Sequence, residues 1–340
     1  MDLIIKPTIR CNFFCEFCSS TEFCDKNSKD LTSADVIKVI QEEPVSNIIF
    51  NGGDPLMMPP EFYWDLVHYI HDNNLDITLS MTTNLKDFMK NPEKWTPLFT
   101  QDIVPMGVCT SFQYGSLRKI YPNQPYTEEM FRETFKKFYE VTGQKLPFLA
   151  IISEENEQYA LKHIELAKEL GTKCRINEVI NSGKAGKPYP FPRIANFWLD
   201  VIENGDEQYE MNCLIFKDAV SGIDTECPFC RTCKDSVMCL SCGAPDKVTR
   251  CGQLSDDIPR MRENPKEHGL LAYTLGELDE VPYEYSVFKQ ECYTCPMYQV
   301  CNACVKQNRD LRAFNMVEEH CKSMKQVIKR IEKMKADGKW

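Results

Sequence analysis

Between residue 1 and about residue 180, six short apolar runs alternate with amphipathic helical stretches, and few folds accommodate that pattern. The runs are Leu3–Thr8, Asn47–Phe50, Asp76–Met81, Ile103–Phe112, Pro147–Ile152 and Lys173–Ile180. Each is short and apolar enough to be a buried strand. Between them, Thr32 or Ser33 caps a helix carrying Val36, Ile37 and Ile40, and Pro44 stops it. Pro59-Pro60 opens a helix with Phe62, Tyr63, Leu66, Val67 and Ile70 on one face. Thr127 starts another, with Met130, Phe131, Phe135 and Phe138 turned inward, and Gly171 ends a helix over Gln158–Leu170. Six βα repeats with short connections predict parallel strands with right-handed crossovers, either doubly wound or closed into an open barrel. The fold class is α/β, and in such sheets function gathers at the C-terminal ends of the strands.

The rest of the chain reads differently. Residues 181–226 show no strong period, and Pro188, Pro190 and Pro192 suggest a connection along the sheet edge. Of 18 cysteines, most lie in clusters with two-residue spacers, and the stretch from Cys227 to Cys321 is richest. In a reducing compartment such clusters are metal ligands rather than disulfides. Residues 227–304 are expected to hold little regular structure, and 313–335 read as a terminal helix. A net charge of −10 disfavours a nucleic-acid substrate. No run approaches the ~18 apolar residues of a membrane span. The N-terminus Met1–Pro7 lacks the charged and apolar regions of a signal peptide, so the cytoplasm is the expected location.

The chemistry begins directly after the first strand. Cys11, Cys15 and Cys18 stand at C-x3-C-x2-C spacing in the stretch Cys11-Asn12-Phe13-Phe14-Cys15-Glu16-Phe17-Cys18. Three thiolates hold three corners of a cubane iron–sulfur cluster and leave one iron open. A zinc site with Cys24 as fourth ligand is the alternative. The motif resembles the signature of radical S-adenosylmethionine (SAM) enzymes, whose open iron chelates the amino and carboxylate groups of SAM. Asn51-Gly52-Gly53-Asp54-Pro55 after the second strand resembles that family's GGEP motif, which holds the SAM amino group. Asp54 replaces the usual Glu. Thr82-Thr83-Asn84 after the third strand is similar to the family's TNG turn. Ser111 matches a frequent SAM contact; Gln113 replaces the family's Asp, and Arg118 is placed to pair the SAM carboxylate. On the sixth strand Arg175 and Asn177 alternate with Ile176, and Asn177 matches a SAM ribose contact. For Ser111 a buried strand-end hydroxyl, and for Arg118 a surface arginine, are the plain structural alternatives.

The C-terminal cysteines form two groups. Cys292, Cys295, Cys301, Cys304 and Cys321 resemble the SPASM pattern C-x2-C-x5-C-x3-C-gap-C, one residue short before Cys304. The resemblance implies a distal auxiliary [4Fe-4S] cluster on Cys292, Cys295, Cys301 and Cys321. Cys304 then joins a proximal cluster with upstream ligands: Cys251 fits the last of these positions, and Cys233, Cys239 and Cys242 compete for two others. Cys227 and Cys230 are left for a further metal, zinc being the simplest. Cys24, Cys109, Cys174 and Cys213 read as small buried hydrophobes, and the five histidines form no ligand-like pattern.

Taken together, the resemblance implies a partial (β/α)6 TIM-like barrel over residues 1–205, bridging from 181, and a small cysteine-rich SPASM-like domain over 206–340. It implies SAM and an external flavodoxin- or ferredoxin-type electron donor. A reduced cluster cleaves SAM to methionine and a 5′-deoxyadenosyl radical, which abstracts hydrogen from the substrate. Because many SPASM relatives act on ribosomal peptides, a peptide or protein side chain is the first expectation; the chain starts at strand one, so a separate leader-binding partner, or none, is implied. A small molecule, sugar or nucleotide is the second expectation, and a non-enzymatic electron-transfer or metal-binding protein the third.

Overall fold

The computed structural model describes residues 1–340 apart from 26, 224–235, 287 and 302–303, and describes residue 299 without its side chain. The chain makes two compact units: Met1–Phe148 with Ser182–Lys184 and Lys234–Leu278, and Leu149–Asn181 with Ala185–Cys233 and Asp279–Trp340.

In the first unit four parallel strands stand in chain order. They are β1 (Asp2–Lys6), β2 (Asn47–Phe50), β3 (Thr78–Thr82) and β4 (Met106–Ser111), with Leu3 opposite Ile48, Ile48 opposite Leu79, and Leu79 opposite Met106. Leu3, Ile5, Ile48, Phe50, Leu79 and Met81 alternate along these strands and share one buried apolar cluster. Strand residues i and i+2 lie on one face, so this alternation defines the helix-covered side. The covering helices are α1 (Ser33–Glu42), α2 (Pro60–Asp72), α3 (Lys86–Lys90), α4 (Pro92–Thr100) and α5 (Glu128–Thr142). Thr32 caps α1 in a full capping box with Asp35, and Thr127 caps α5. A short hairpin, β5 (Lys119–Tyr121) with β6 (Gln124–Pro125), follows β4.

The second unit holds β7 (Phe148–Ile152), β8 (Cys174–Glu178) and, between them, α6 (Ala160–Leu170). All six expected strands are therefore present, and the fold is α/β with mostly parallel strands.

Two expectations are corrected. Residues 181–226 contain α7 (Phe191–Glu203) and α8 (Met211–Val220). Pro192 sits in the first turn of α7, where a missing N–H costs nothing. α7 carries Arg193, Asn196, Asp200 and Glu203 along one polar side and buried apolar residues over the rest, a helical period present in the sequence beside its run of prolines. Glu210 caps α8, its buried carboxylate accepting from the backbone N–H groups of Ile176 and Cys213, both at 2.8 Å. The cysteine-rich stretch is also more regular than expected. β9 (Val237–Ser241) pairs parallel with β1, from Asp2 opposite Val237 to Lys6 opposite Ser241, and β10 (Ala244–Arg250) folds back antiparallel on it. The expected terminal helix is present as α11 (Val317–Ala336); a further helix, α10 (Val305–Ala313), precedes it and ends before Asn315, whose φ of 55° breaks the helical path.

Beside the β9 edge, Lys6 is buried at 2% exposure and paired with Asp256, with a further bond of 2.5 Å to the Gly252 carbonyl on α9 (Gly252–Asp256). Burial alone would lower the Lys6 pKa, but the Asp256 carboxylate outweighs it and the ammonium is held above its usual value. Asp256→Ala strands a buried charge and is expected to destabilise the protein by about 3–5 kcal/mol in chemical denaturation. The Lys6→Met/Asp256→Leu double variant, having no charge left to strand, is expected to regain most of that loss.

Candidate cluster and cofactor site

The loops after β1, β2, β3 and β4 all leave the C-terminal ends of their strands, and they carry Cys11–Cys18, Gly52–Pro55, Thr83–Asn84 and Gln113–Arg118. The ladder between β1 and β2 continues past both strands: Asn51 N–H donates to the Ile5 carbonyl, Gly53 to Thr8 at 2.9 Å, and Asp54 to Arg10 at 2.8 Å. A Cβ on Gly53 would lie 2.2 Å from the Arg10 carbonyl oxygen, so only glycine lets the two loops touch here. Gly52 adopts φ of 107°. The paired glycines thus bring the backbone up against the residue preceding Cys11.

Asp54 is 2% exposed and fully used. Its carboxylate accepts from Leu56 N–H at 3.0 Å, from the Thr83 hydroxyl at 3.0 Å and from Asn84 N–H at 2.7 Å. Burial raises its pKa to about 6 in spite of these donors. The side chain expected to face an ammonium group therefore holds the next loop, and Pro55 continues into a buried turn whose carbonyl accepts from the Tyr63 hydroxyl. Asn84 passes the connection on: its amide donates to Asn12 Oδ1 at 2.8 Å and approaches Cys11 Sγ at 3.8 Å.

The other side of the cysteine loop is braced by residues 117–119. Phe14 N–H donates to the Lys119 carbonyl at 2.8 Å and Glu16 N–H to Leu117 at 2.9 Å. Arg118 is 6% exposed; its guanidinium approaches Cys15 Sγ at 4.0 Å, donates to Gln113 Oε1 at 3.3 Å and stacks over Phe17 at 5.1 Å. Its Nε is buried without a partner among the described residues. Three positions that sequence reasoning passed over also brace the loop. Lys86 donates to the carbonyls of Asn12 and Ile120, Lys184 N–H to the carbonyl of Cys18, and Asn12 accepts from Asn84. Lys86 follows the recognised Asn84 turn by two residues; for Lys184 the sequence offers no signal.

Cys11, Cys15 and Cys18 lie within one another's electrostatic reach. Burial, with Asp54 adding to it, pushes the Cys11 thiol up to about 12, and burial raises Cys18 as well. Metal ligation takes the thiolate, so loading this loop releases protons. Three thiols with N–H donors directed at two of them, and an orphaned arginine nitrogen nearby, fit a three-cysteine cluster with an anionic ligand beside it. Among the described residues no three Cys, His, Asp or Glu side chains close around a single metal ion.

Residues 5–173 match the model of the radical SAM superfamily. The chain is a member of that superfamily. Membership carries enzyme catalysis, a [4Fe-4S] cluster and SAM as cofactor. Solved structures agree in fold over nearly the whole length. Native anSMEcpe with bound AdoMet has a TM-score of 0.63 at 16% identity, covering 96% of this chain and 98% of its own. Native anSMEcpe with bound AdoMet and Kp18Cys peptide has 0.60 at 16% identity, covering 88% of each chain. No curated protein matches the chain.

The remaining candidates of this radical SAM protein fall as follows. Ser111 is half-buried at the end of β4. Asn177, in the second unit, accepts from Asn212 Nδ2 at 2.9 Å, and Arg175 donates to Asn212 Oδ1 at 3.0 Å, so Asn212 of α8 engages both of these side chains. Cys24 Sγ lies 3.0 Å from Cys242 Sγ, and both belong to the apolar cluster with Met238 and Leu240. That takes Cys24 away from the role of fourth zinc ligand. It also puts Cys242 on the opposite face of β9 from Cys239, because side chains alternate along a strand. Cys239 instead contacts Ser255 at 3.3 Å and shares its surroundings with Cys251 and Lys6. Cys227, Cys230 and Cys233 lie outside the described residues. In the second unit Cys292, Cys295, Cys301 and Cys321 line one pocket. Cys304 caps α10, accepting from Gln307 N–H at 3.4 Å.

Two outcomes follow for the first loop. Gly53→Ala must push the Arg10 backbone away, and it is expected to cost about 1–3 kcal/mol in thermal or chemical unfolding and to reduce iron retained at Cys11, Cys15 and Cys18. Asp54 has a folded pKa of about 6 against an unfolded value near 3.8, so it favours the fold most below pH ~4 and that contribution is lost as pH rises to about 6. The difference amounts to roughly 3 kcal/mol at ~1.4 kcal/mol per pKa unit. Asp54→Asn is expected to flatten the stability curve between pH 4 and 6 relative to wild type, measured by denaturation across that range.

Proposed function

We propose that this radical SAM enzyme abstracts a hydrogen atom from a peptide or protein side chain, in the manner of a maturase. The observation that carries the reading beyond the superfamily is the second-unit pocket lined by Cys292, Cys295, Cys301 and Cys321. Four cysteines on one pocket, at SPASM-like spacing, support an auxiliary [4Fe-4S] cluster there, and Cys239 with Cys251 supports a second. Relatives with such auxiliary clusters act on peptides, and the solved structures of similar fold include one with AdoMet and Kp18Cys peptide and one with AdoMet and Cp18Cys peptide. We divide the chain functionally into a SAM-binding part over 1–205 and an auxiliary-cluster part over 206–340.

When bound, the cluster on Cys11, Cys15 and Cys18 with SAM supplies a 5′-deoxyadenosyl radical, fed by an external flavodoxin- or ferredoxin-type donor. The chain's own residues do the rest. Asn84 and Arg118 direct N–H groups at Cys11 and Cys15 and set the electron density on those thiolates. Gly52 and Gly53 leave their backbone open beside the loop for an amino group, and Arg118 with its unpartnered Nε faces a carboxylate. Ser111 completes the SAM contacts proposed within the first unit. The cysteine density supports a reducing compartment, the cytoplasm.

Iron and sulfide per chain after anaerobic reconstitution test the reading. About 12 irons in wild type and about 8 in the Cys11/Cys15/Cys18→Ala variant are expected for three cubanes. About 8 falling to about 4 would leave one auxiliary cluster, and no iron in either would leave a zinc protein. A rise in deoxyadenosine with peptide, and none with metabolites, is the expected substrate response.

A further inference from the structure

His320 stands in the first turn of α11 and is 3% exposed, with neither ring nitrogen bonded to any described residue. Buried polar groups nearly always find partners, and leaving one unpaired carries its full desolvation cost. The ring lines the same pocket as Cys292, Cys295, Cys301 and Cys321, with Phe288 at 5.6 Å and Phe191 at 6.4 Å. In every common protonation state an imidazole offers at least one N–H. The pocket gives that N–H few acceptors. Lys289 and Lys325 are donors, Met297, Met324 and Ile328 are apolar, and the Tyr298 hydroxyl makes no bond to the ring. The four cysteine Sγ atoms make no bond to the ring either, so what remains is the sulfide of whatever those cysteines hold.

We propose that His320 donates an N–H hydrogen bond to a sulfur of the auxiliary cluster on Cys292, Cys295, Cys301 and Cys321, and raises that cluster's reduction potential. This rests on the auxiliary cluster of the proposed function. The four cysteines already supply a thiolate for each iron of a cubane, which leaves the histidine as a donor rather than a ligand. A hydrogen bond to cluster sulfur stabilises the more negative, reduced state, so the potential rises. His320 is thus a positioning and tuning residue, not a catalytic one.

The test uses the full chain in the Cys11/Cys15/Cys18→Ala background, where only auxiliary clusters contribute. His320, His320→Leu and His320→Gln are compared by iron and sulfide content, by redox titration followed by paramagnetic resonance, and by proton and nitrogen hyperfine couplings. Cys292→Ala in the same background identifies which signal belongs to this pocket. The expected result is unchanged iron in both variants, a lower midpoint potential and a lost exchangeable proton coupling in His320→Leu, and partial recovery in His320→Gln, whose amide keeps a donor. An unchanged midpoint in His320→Leu would mean a packing residue and overturn the proposal. A drop in iron or a three-iron signal in His320→Leu would make His320 a ligand and overturn it too. No iron in the background protein with His320 intact would instead remove the auxiliary cluster itself, and His320's role with it.

Discussion

One buried carboxylate ties the cofactor end of this protein together. Asp54 receives the N–H of Asn84 and the hydroxyl of Thr83 from the loop after β3, while its own N–H reaches the Arg10 carbonyl in the loop after β1. Three successive strand ends are thereby fixed to one residue. An acceptor with two oxygens suits the task, because Leu56, Thr83 and Asn84 present donors that would otherwise be buried unpaired. The energetic cost is visible in the raised pKa of the group, and the surrounding donors hold the charge in place all the same.

From that hub the polar connections run outward to sulfur. Asn84 leads to Asn12 and Cys11, and the Gln113–Arg118 pair leads to Cys15 from the opposite side. A cluster held by three thiolates needs its ligands oriented by a fixed second layer, and rigid strand ends provide it more accurately than free loops. The second unit repeats the theme with fewer polar groups: four cysteines, two methionines and one bare imidazole on an apolar pocket.

Much of this was legible in the sequence where the signal is local. The βα alternation gave all six expected strands, and Thr32 and Thr127 announced their helices, because periodicity and capping depend on neighbours in the chain. The cysteine spacing, equally local, singled out the loop after β1. What escaped depends on distance in sequence or on burial. The pairing of β9 with β1 joins residues more than two hundred positions apart, and no local pattern encodes it. α7 keeps its helical period, but Pro188, Pro190 and Pro192 point a local reading toward a connection instead. Cys239 and Cys242 look interchangeable as text, yet the pleat of one strand sends them to opposite faces. The bonds from Thr83 and Asn84 to Asp54 join residues about thirty positions apart and so escape a local reading as well. His320 was passed over because one histidine beside one cysteine is no motif until the cavity around it is seen.

The long-range pairing of β9 has a consequence for biogenesis. During synthesis β1 emerges first, yet one of its two hydrogen-bonding edges has no partner until Val237–Ser241 has been made. For most of the time on the ribosome, the strand that leads into the cluster loop is an open sheet edge, the kind of edge that invites pairing with another chain. Contacts so distant in sequence also form late and slowly. A nascent chain stalled before residue 237 would therefore expose an unpaired edge next to the loop that carries Cys11, Cys15 and Cys18.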